Sequence, residues 1–181
     1  MGSPKHLLPF HDRPLYLHIL ELLRTFCCVA DKIYVSVNYP EQAARFNLPK
    51  SWQDRVTFLY DASSQDDSIP YVTAKAKPND KGIGPAAGLL AAYKNDPHAH
   101  WLVVACDYPL LIPDALQQLY DAYEEPVTIF VNSQGCCESL LGIWGPYALS
   151  KLESNVGGGC TGPSMVVKEL QGRLIKPGVD L

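Results

Sequence analysis

Apolar positions recur along this chain in two alternating periods. Leu15, Ile19, Leu22, Leu23 and Phe26 follow helical spacing, so they predict one amphipathic helix, with Asp12 as its cap and Pro14 in its first turn. Ile33 to Val37 is a β-branched run ending at Asn38. Glu41 to Phe46 reads as a short helix stopped by Asn47-Leu48-Pro49, and Arg55 to Tyr60 as a strand with Asp61 just past its end. Trp101 to Ala105 is apolar without alternation, the pattern of a strand covered on both faces, and Tyr108-Pro109 halts it. A helix from Pro113 to Tyr123, strands at Val127 to Val131 and Leu140 to Trp144, helices at Tyr147 to Leu152 and Ser164 to Leu170, and a strand fragment at Leu174-Ile175 complete the pattern. The polar stretch 62–81 reads as a long loop in which Tyr71-Val72-Thr73 could pair as an edge strand. Strands alternating with helices and no internal repeat imply an α/β fold with a mainly parallel sheet and helices on both faces.

Composition narrows the class. A chain of 181 residues suits one globular domain. The net charge of -4, with no Lys/Arg run, argues against nucleic acid as a partner. No apolar run is long enough for a membrane span, and the start lacks a signal-peptide core. The six cysteines form no C-x-x-C pair, and Cys27-Cys28 and Cys136-Cys137 are adjacent doublets. That usage predicts reduced thiols in a cytoplasmic protein rather than a zinc site or a disulfide framework.

Two stretches could carry chemistry. Asp107 arrives at the carboxyl end of an apolar strand, the edge of an open α/β sheet where ligands bind. A carboxylate there can hold Mg²⁺ against phosphate oxygens; equally, it can cap a turn. Gly82-Ile83-Gly84-Pro85-Ala86-Ala87-Gly88 is a glycine-rich turn entering a helix. Its G-x-G-x-x-x-G spacing misses the dinucleotide fingerprint by one residue. Such a turn lets a backbone approach a flat ligand closely, or serves only packing.

Pro4-Lys5-His6-Leu7-Leu8-Pro9-Phe10, Gly84-Pro85-Ala86-Ala87-Gly88-Leu89-Leu90 and Val104-Ala105-Cys106-Asp107-Tyr108-Pro109-Leu110 occur in this order. Together they resemble the MobA-like nucleotidyltransferases, the group of molybdenum cofactor guanylyltransferases and cytidylyltransferases. The resemblance implies a Rossmann-like nucleotide-diphospho-sugar transferase fold and Mg²⁺-dependent transfer of a nucleotidyl group from a nucleoside triphosphate to a phosphorylated acceptor such as molybdopterin. It places Lys5 on the triphosphate and Asp107 on the metal. It places Gly84, Pro85 and Gly88 against the nucleobase, Asn38 at a neighbouring strand end, and Glu138 near the acceptor. The family's further aspartate is either Asp61, by strand-end position, or Asp80, by nearness to the glycine loop. Gly-Pro-x-x-Gly leans to guanine, hence GTP; cytidylyl transfer, or a nucleotide-binding module without turnover, are the alternatives.

Members of that family begin with a strand and a loop of the pattern L-A-G-G-x-S-x-R-M-G, whose last two residues Met1-Gly2 resemble. The chain also stops at Val179-Asp180-Leu181, before the family's closing segment. The expectation is one domain, 1–181, short at both ends. The strand at Leu102 to Ala105 would then lack a neighbour and expose an apolar edge, leaving the chain poorly soluble and a weak binder of triphosphate.

Overall fold

The computed structural model describes residues 5–26, 32–61 and 83–178. After a 3-10 turn at Lys5–Leu7, a small hairpin pairs β1 (Pro9–Phe10) with β2 (Arg13–Pro14), and α1 (Leu15–Phe26) follows directly. The remaining elements are β3 (Ile33–Val37), α2 (Pro40–Ala43), α3 (Lys50–Gln53), β4 (Val56–Tyr60), α4 (Pro85–Asn95), β5 (Trp101–Val104), α5 (Pro113–Asp121), β6 (Val127–Val131), β7 (Cys137–Trp144), α6 (Pro146–Gly157), α7 (Pro163–Glu169) and β8 (Arg173–Ile175). Proline opens α2, α4, α5, α6 and α7, and none of these five has a side-chain N-cap. The ring fixes φ for the first turn and forgoes an N–H that would lack a helical acceptor anyway.

The strands form a parallel pair, β3-β4, and a four-stranded sheet in the order β5-β7-β6-β8. Within the latter, β7 runs against both β5 and β6, while β6 and β8 are parallel. All its strands except β7 therefore share one direction. Alternate residues of the strands serve two cores. Val127 and Ile129 of β6 join Leu89 and Leu90 of α4, Leu149 and Leu152 of α6 and Val166 of α7 on one face. Phe130 of the same strand joins Leu22 of α1 and Leu116 and Leu119 of α5 on the other. A third cluster, Tyr16, Leu20, Trp52 and Val56, ties α1 to the β3-β4 pair. Helices thus cover both faces, as the alternation of elements predicts.

Three expectations need correction. Asp12 is no helix cap: His11 and Asp12 take φ of 47° and 63° as the turn between β1 and β2. A two-residue hairpin turn of type I′ has positive φ at both central positions, which His and Asp adopt more readily than most residues. A further short helix, α3, begins just after Pro49, where the pattern predicts only a break. Lastly, the Trp101 run is half-buried rather than covered all round. It lies at the edge of its sheet, bonded to β7 on one side only among the described residues, while β6 is the strand buried along its whole length. The expected edge strand at Tyr71-Val72-Thr73 lies outside the described residues.

Candidate active site

The elements that carry the sequence motifs meet at the carboxyl ends of β3, β4 and β5. The 3-10 turn sets Lys5 beside the end of β5, where its Nζ donates to Asp107 Oδ2 at 3.0 Å. These residues lie 102 positions apart in sequence. Both side chains remain accessible, 71% and 47% exposed, so the pair is open to a ligand. The carboxylate holds the Lys5 ammonium above its ordinary value, first through their hydrogen bond and then through their opposite charges. Cys106 lies just before Asp107; burial pushes its thiol up, and the neighbouring carboxylate adds to the effect.

Beside this pair, a cavity of about 730 Å³ opens between β3 and β5, its lining including Asn38, Asp61, Gly84, Pro85, Gly88 and Cys106. Gly84 precedes α4 with φ of 60°, a backbone conformation that glycine adopts without penalty. Gly88, one turn into α4, lies against β3: a Cβ there would stand 2.9 Å from Ser36 Oγ. The missing side chain therefore keeps the helix close to the strand. Ser36 Oγ donates to Asp61 Oδ1 at 2.7 Å, fixing that carboxylate across the β3-β4 pair. Burial pushes the Asp61 carboxyl above its ordinary value, so it ionises less readily, and the Ser36 hydrogen bond opposes the shift. Asn38 stands just past β3, its backbone N–H bonded to Gln42 Oε1 at 2.9 Å.

Glu138 occupies the first part of β7, and both its oxygens accept hydrogen bonds. Tyr108 Oη donates to Oε2 at 2.6 Å, and Asn132 Nδ2 donates to Oε1 at 2.9 Å. Burial, then the bonded carboxylate, raise the Tyr108 phenol, so it stays a donor. Of the residues singled out by sequence, Lys5 and Asp107 are brought into contact. Asn38, Asp61, Gly84, Pro85 and Gly88 share one cavity, and Glu138 is tied to the residue after Asp107. Asp80 lies outside the described residues. Ser36, Tyr108 and Asn132 were not foreseen; the signal for Ser36 was a lone hydroxyl inside a β-branched strand.

Among the described residues no three His, Cys, Asp or Glu side chains gather to hold a metal ion. Asp107 offers a single, half-exposed, hard oxygen donor. This matches the way Mg²⁺ binds, through one or two carboxylates with substrate phosphates completing the shell.

The sequence matches the MobA-like NTP transferase domain over residues 1–173. It is 24% identical over 182 residues to the molybdenum cofactor biosynthesis bifunctional protein of Synechocystis, covering 98% of this chain and 44% of that protein. The chain thus spans less than half the length of this relative. Its fold is shared with molybdopterin-guanine dinucleotide biosynthesis protein A of Archaeoglobus fulgidus, with a TM-score of 0.67 and 19% identity over 97% of this chain and 76% of that one. A Mycobacterium tuberculosis protein crystallised with manganese gives a TM-score of 0.55 and 15% identity, covering 99% of this chain and 84% of its own.

Proposed function

The chain belongs to the MobA-like NTP transferase family, and on that premise we propose that it transfers GMP from GTP to a phosphorylated acceptor of the molybdopterin type, releasing pyrophosphate. The observation that carries this reading is the meeting of three separate motifs at one sheet edge. There the Lys5–Asp107 pair, at 3.0 Å, borders the cavity walled by Gly84, Pro85 and Gly88.

The reaction is an attack by an acceptor phosphate oxygen on the α-phosphorus, with pyrophosphate as the leaving group. Such chemistry asks for positioning and charge neutralisation more than covalent help. Without ligand, Lys5 and Asp107 neutralise each other. Being exposed, their bond is weak enough to be exchanged. A triphosphate gives the Lys5 ammonium a more highly charged partner and holds the leaving group's charge against it. Asp107 would hold a divalent cation, Mg²⁺ in this reading, which supplies further neutralisation of the phosphate charge when bound. The guanine lies against the start of α4, where Gly84 and Gly88 bring backbone rather than side chains to its face. Asn38 and Asp61 supply polar contacts at the ends of β3 and β4, and Asp80 remains a candidate for the same role. Glu138, oriented by Tyr108 and Asn132, faces the acceptor.

The test is pyrophosphate release from GTP in the presence of molybdopterin and Mg²⁺. Asp107→Asn should lower turnover by on the order of 10²–10³, the typical loss for one charge-stabilising contact, with the melting temperature nearly unchanged. Unaltered turnover overturns the role of Asp107, and a large fall in melting temperature assigns it to turn capping instead. Faster release from CTP than from GTP reverses the choice of base.

A further inference from the structure

The lining of the cavity holds a polar side chain to which no sequence motif points. Gln42 stands in the single turn of α2, just past β3, and shares that lining with Asn38, Gly84 and Pro85. Its backbone is fixed on both sides: its N–H donates to the Tyr39 carbonyl at 3.0 Å, and its own carbonyl accepts from Arg45 N–H at 3.1 Å. The half-buried side chain is fixed as well, because Gln42 Oε1 accepts from the backbone N–H of Asn38 at 2.9 Å. A backbone N–H only donates, so this bond identifies which end of the amide is oxygen. The other end is an NH2 group with two donors. Among the described residues Nε2 has no hydrogen-bond partner, and it is not enclosed by protein.

The position of this amide narrows what it meets. Gly88 packs on Ser36, just before the end of β3, and Gly84 lies one turn earlier at the start of α4. The Asn38–Gln42 turn and the glycine-bearing start of α4 therefore border the same end of the cavity. Phosphate charge has its own partner in the Lys5 ammonium, beside the end of β5. An uncharged, oriented NH2 group suits a neutral acceptor instead. Guanine offers two adjacent acceptors, O6 and N7, whereas adenine carries an amino donor in place of O6. A donor facing a donor leaves both unpaired, which costs more than the mere absence of a contact.

We propose that Gln42 reads the 6-oxo group of guanine, its NH2 donating to O6 while the Asn38 N–H holds Oε1 and so keeps the donors turned towards the base. The inference rests on the reading of this cavity as a GTP site and adds to it the side chain that sets the choice of purine. Asn38 takes part through its backbone, as the group that positions Gln42. The same geometry shows how the preference is inverted. A glutamate at this position keeps the bond from Asn38, since a carboxylate oxygen also accepts, but presents an acceptor where Gln42 presents donors.

Equilibrium binding of GTP, 6-thio-GTP, ATP and CTP with Mg²⁺, measured on the wild type, Gln42→Leu and Gln42→Glu, tests this. All four ligands carry the same triphosphate, so their affinity ratios on one variant cancel effects on folding and on phosphate binding. Sulfur is a poor acceptor, so the wild type should favour GTP over 6-thio-GTP by at least about tenfold. In Gln42→Leu that ratio should fall to within about twofold, because the partner of O6 is gone. In Gln42→Glu the ratio of GTP to ATP affinity should drop by at least about tenfold from its wild-type value, since the new acceptor opposes O6 and suits the amino group. An unchanged ratio of GTP to 6-thio-GTP in Gln42→Leu, or equal losses for GTP and ATP in Gln42→Glu, overturns the role of Gln42 and leaves the GTP site standing. Tighter binding of CTP than of GTP by the wild type overturns the function proposed above, and this inference with it.

Discussion

Asp61 shows how one half-buried carboxyl group links the candidate site to stability. Its value is raised by burial, so its contribution to folding is fully present while it is protonated and is lost as pH climbs through that raised value. Asp61→Asn keeps an oxygen for the Ser36 hydroxyl but never ionises. The variant should be the more stable protein at pH 7, and its advantage should vanish towards the ordinary aspartate range near pH ~3.9. Urea unfolding at a series of pH values measures this, and an advantage that does not depend on pH would refute it. At the same scale, Asp107 and the glycines stand out in the sequence as a carboxylate at a strand end and a glycine-rich turn, whereas Lys5 is picked out only by the resemblance of its Pro4-Lys5 segment to the family. Ser36 and Tyr108 stayed hidden because their importance lies in partners distant in sequence. Ser36 reaches across 25 positions to Asp61, and Tyr108 across 30 to Glu138. Asn132 and Glu138 were nearer to legible, since the β6-β7 hairpin sets their register, with Val131 opposite Cys137.

Among the elements, β6 is the mechanical centre. It is bonded on both sides, to β7 and β8, and Phe130 is fully buried against α5. Phe130→Ala should cost about 3–5 kcal/mol, measured by chemical denaturation, without altering the Lys5–Asp107 edge. A loss below 1 kcal/mol would mean that the α5 face collapses around the gap. The bounds of β3 and β6 agree with the apolar runs because β-branched residues at strand spacing leave little else possible. The hairpin at residues 9–14 was misread because an aspartate two residues before a proline imitates a helix start. Only the chain's turn back on itself shows that Asp12 is the tight turn. The four-residue α3 is too short to have any hydrophobic period. β5 looked like an interior strand by composition, and it is apolar enough to be one; its position at an edge depends on what pairs with it, which no local pattern records.

At the scale of the whole molecule, the three cores leave the carboxyl ends of β3, β4 and β5 free to carry function. Helices hold both faces of the sheet; the 3-10 turn brings Lys5, the segments after β3, β4 and β5 bring Asn38, Asp61 and Asp107, and the start of α4 brings Gly84 and Gly88 to one edge, the end of an α/β sheet where ligands bind. Apolar runs specify the layers, and the breaks after them carry candidate site residues such as Asn38, Asp61 and Asp107. Titration of the protein with GTP and Mg²⁺, followed residue by residue through backbone amide chemical shifts, tests the central claim most directly. The account predicts saturable shifts centred on Lys5, Asn38, Gly84, Gly88 and Asp107, reached at lower concentration with GTP than with CTP, and lost in Asp107→Asn. Shifts centred elsewhere on the fold, or the same response in Asp107→Asn, would contradict it.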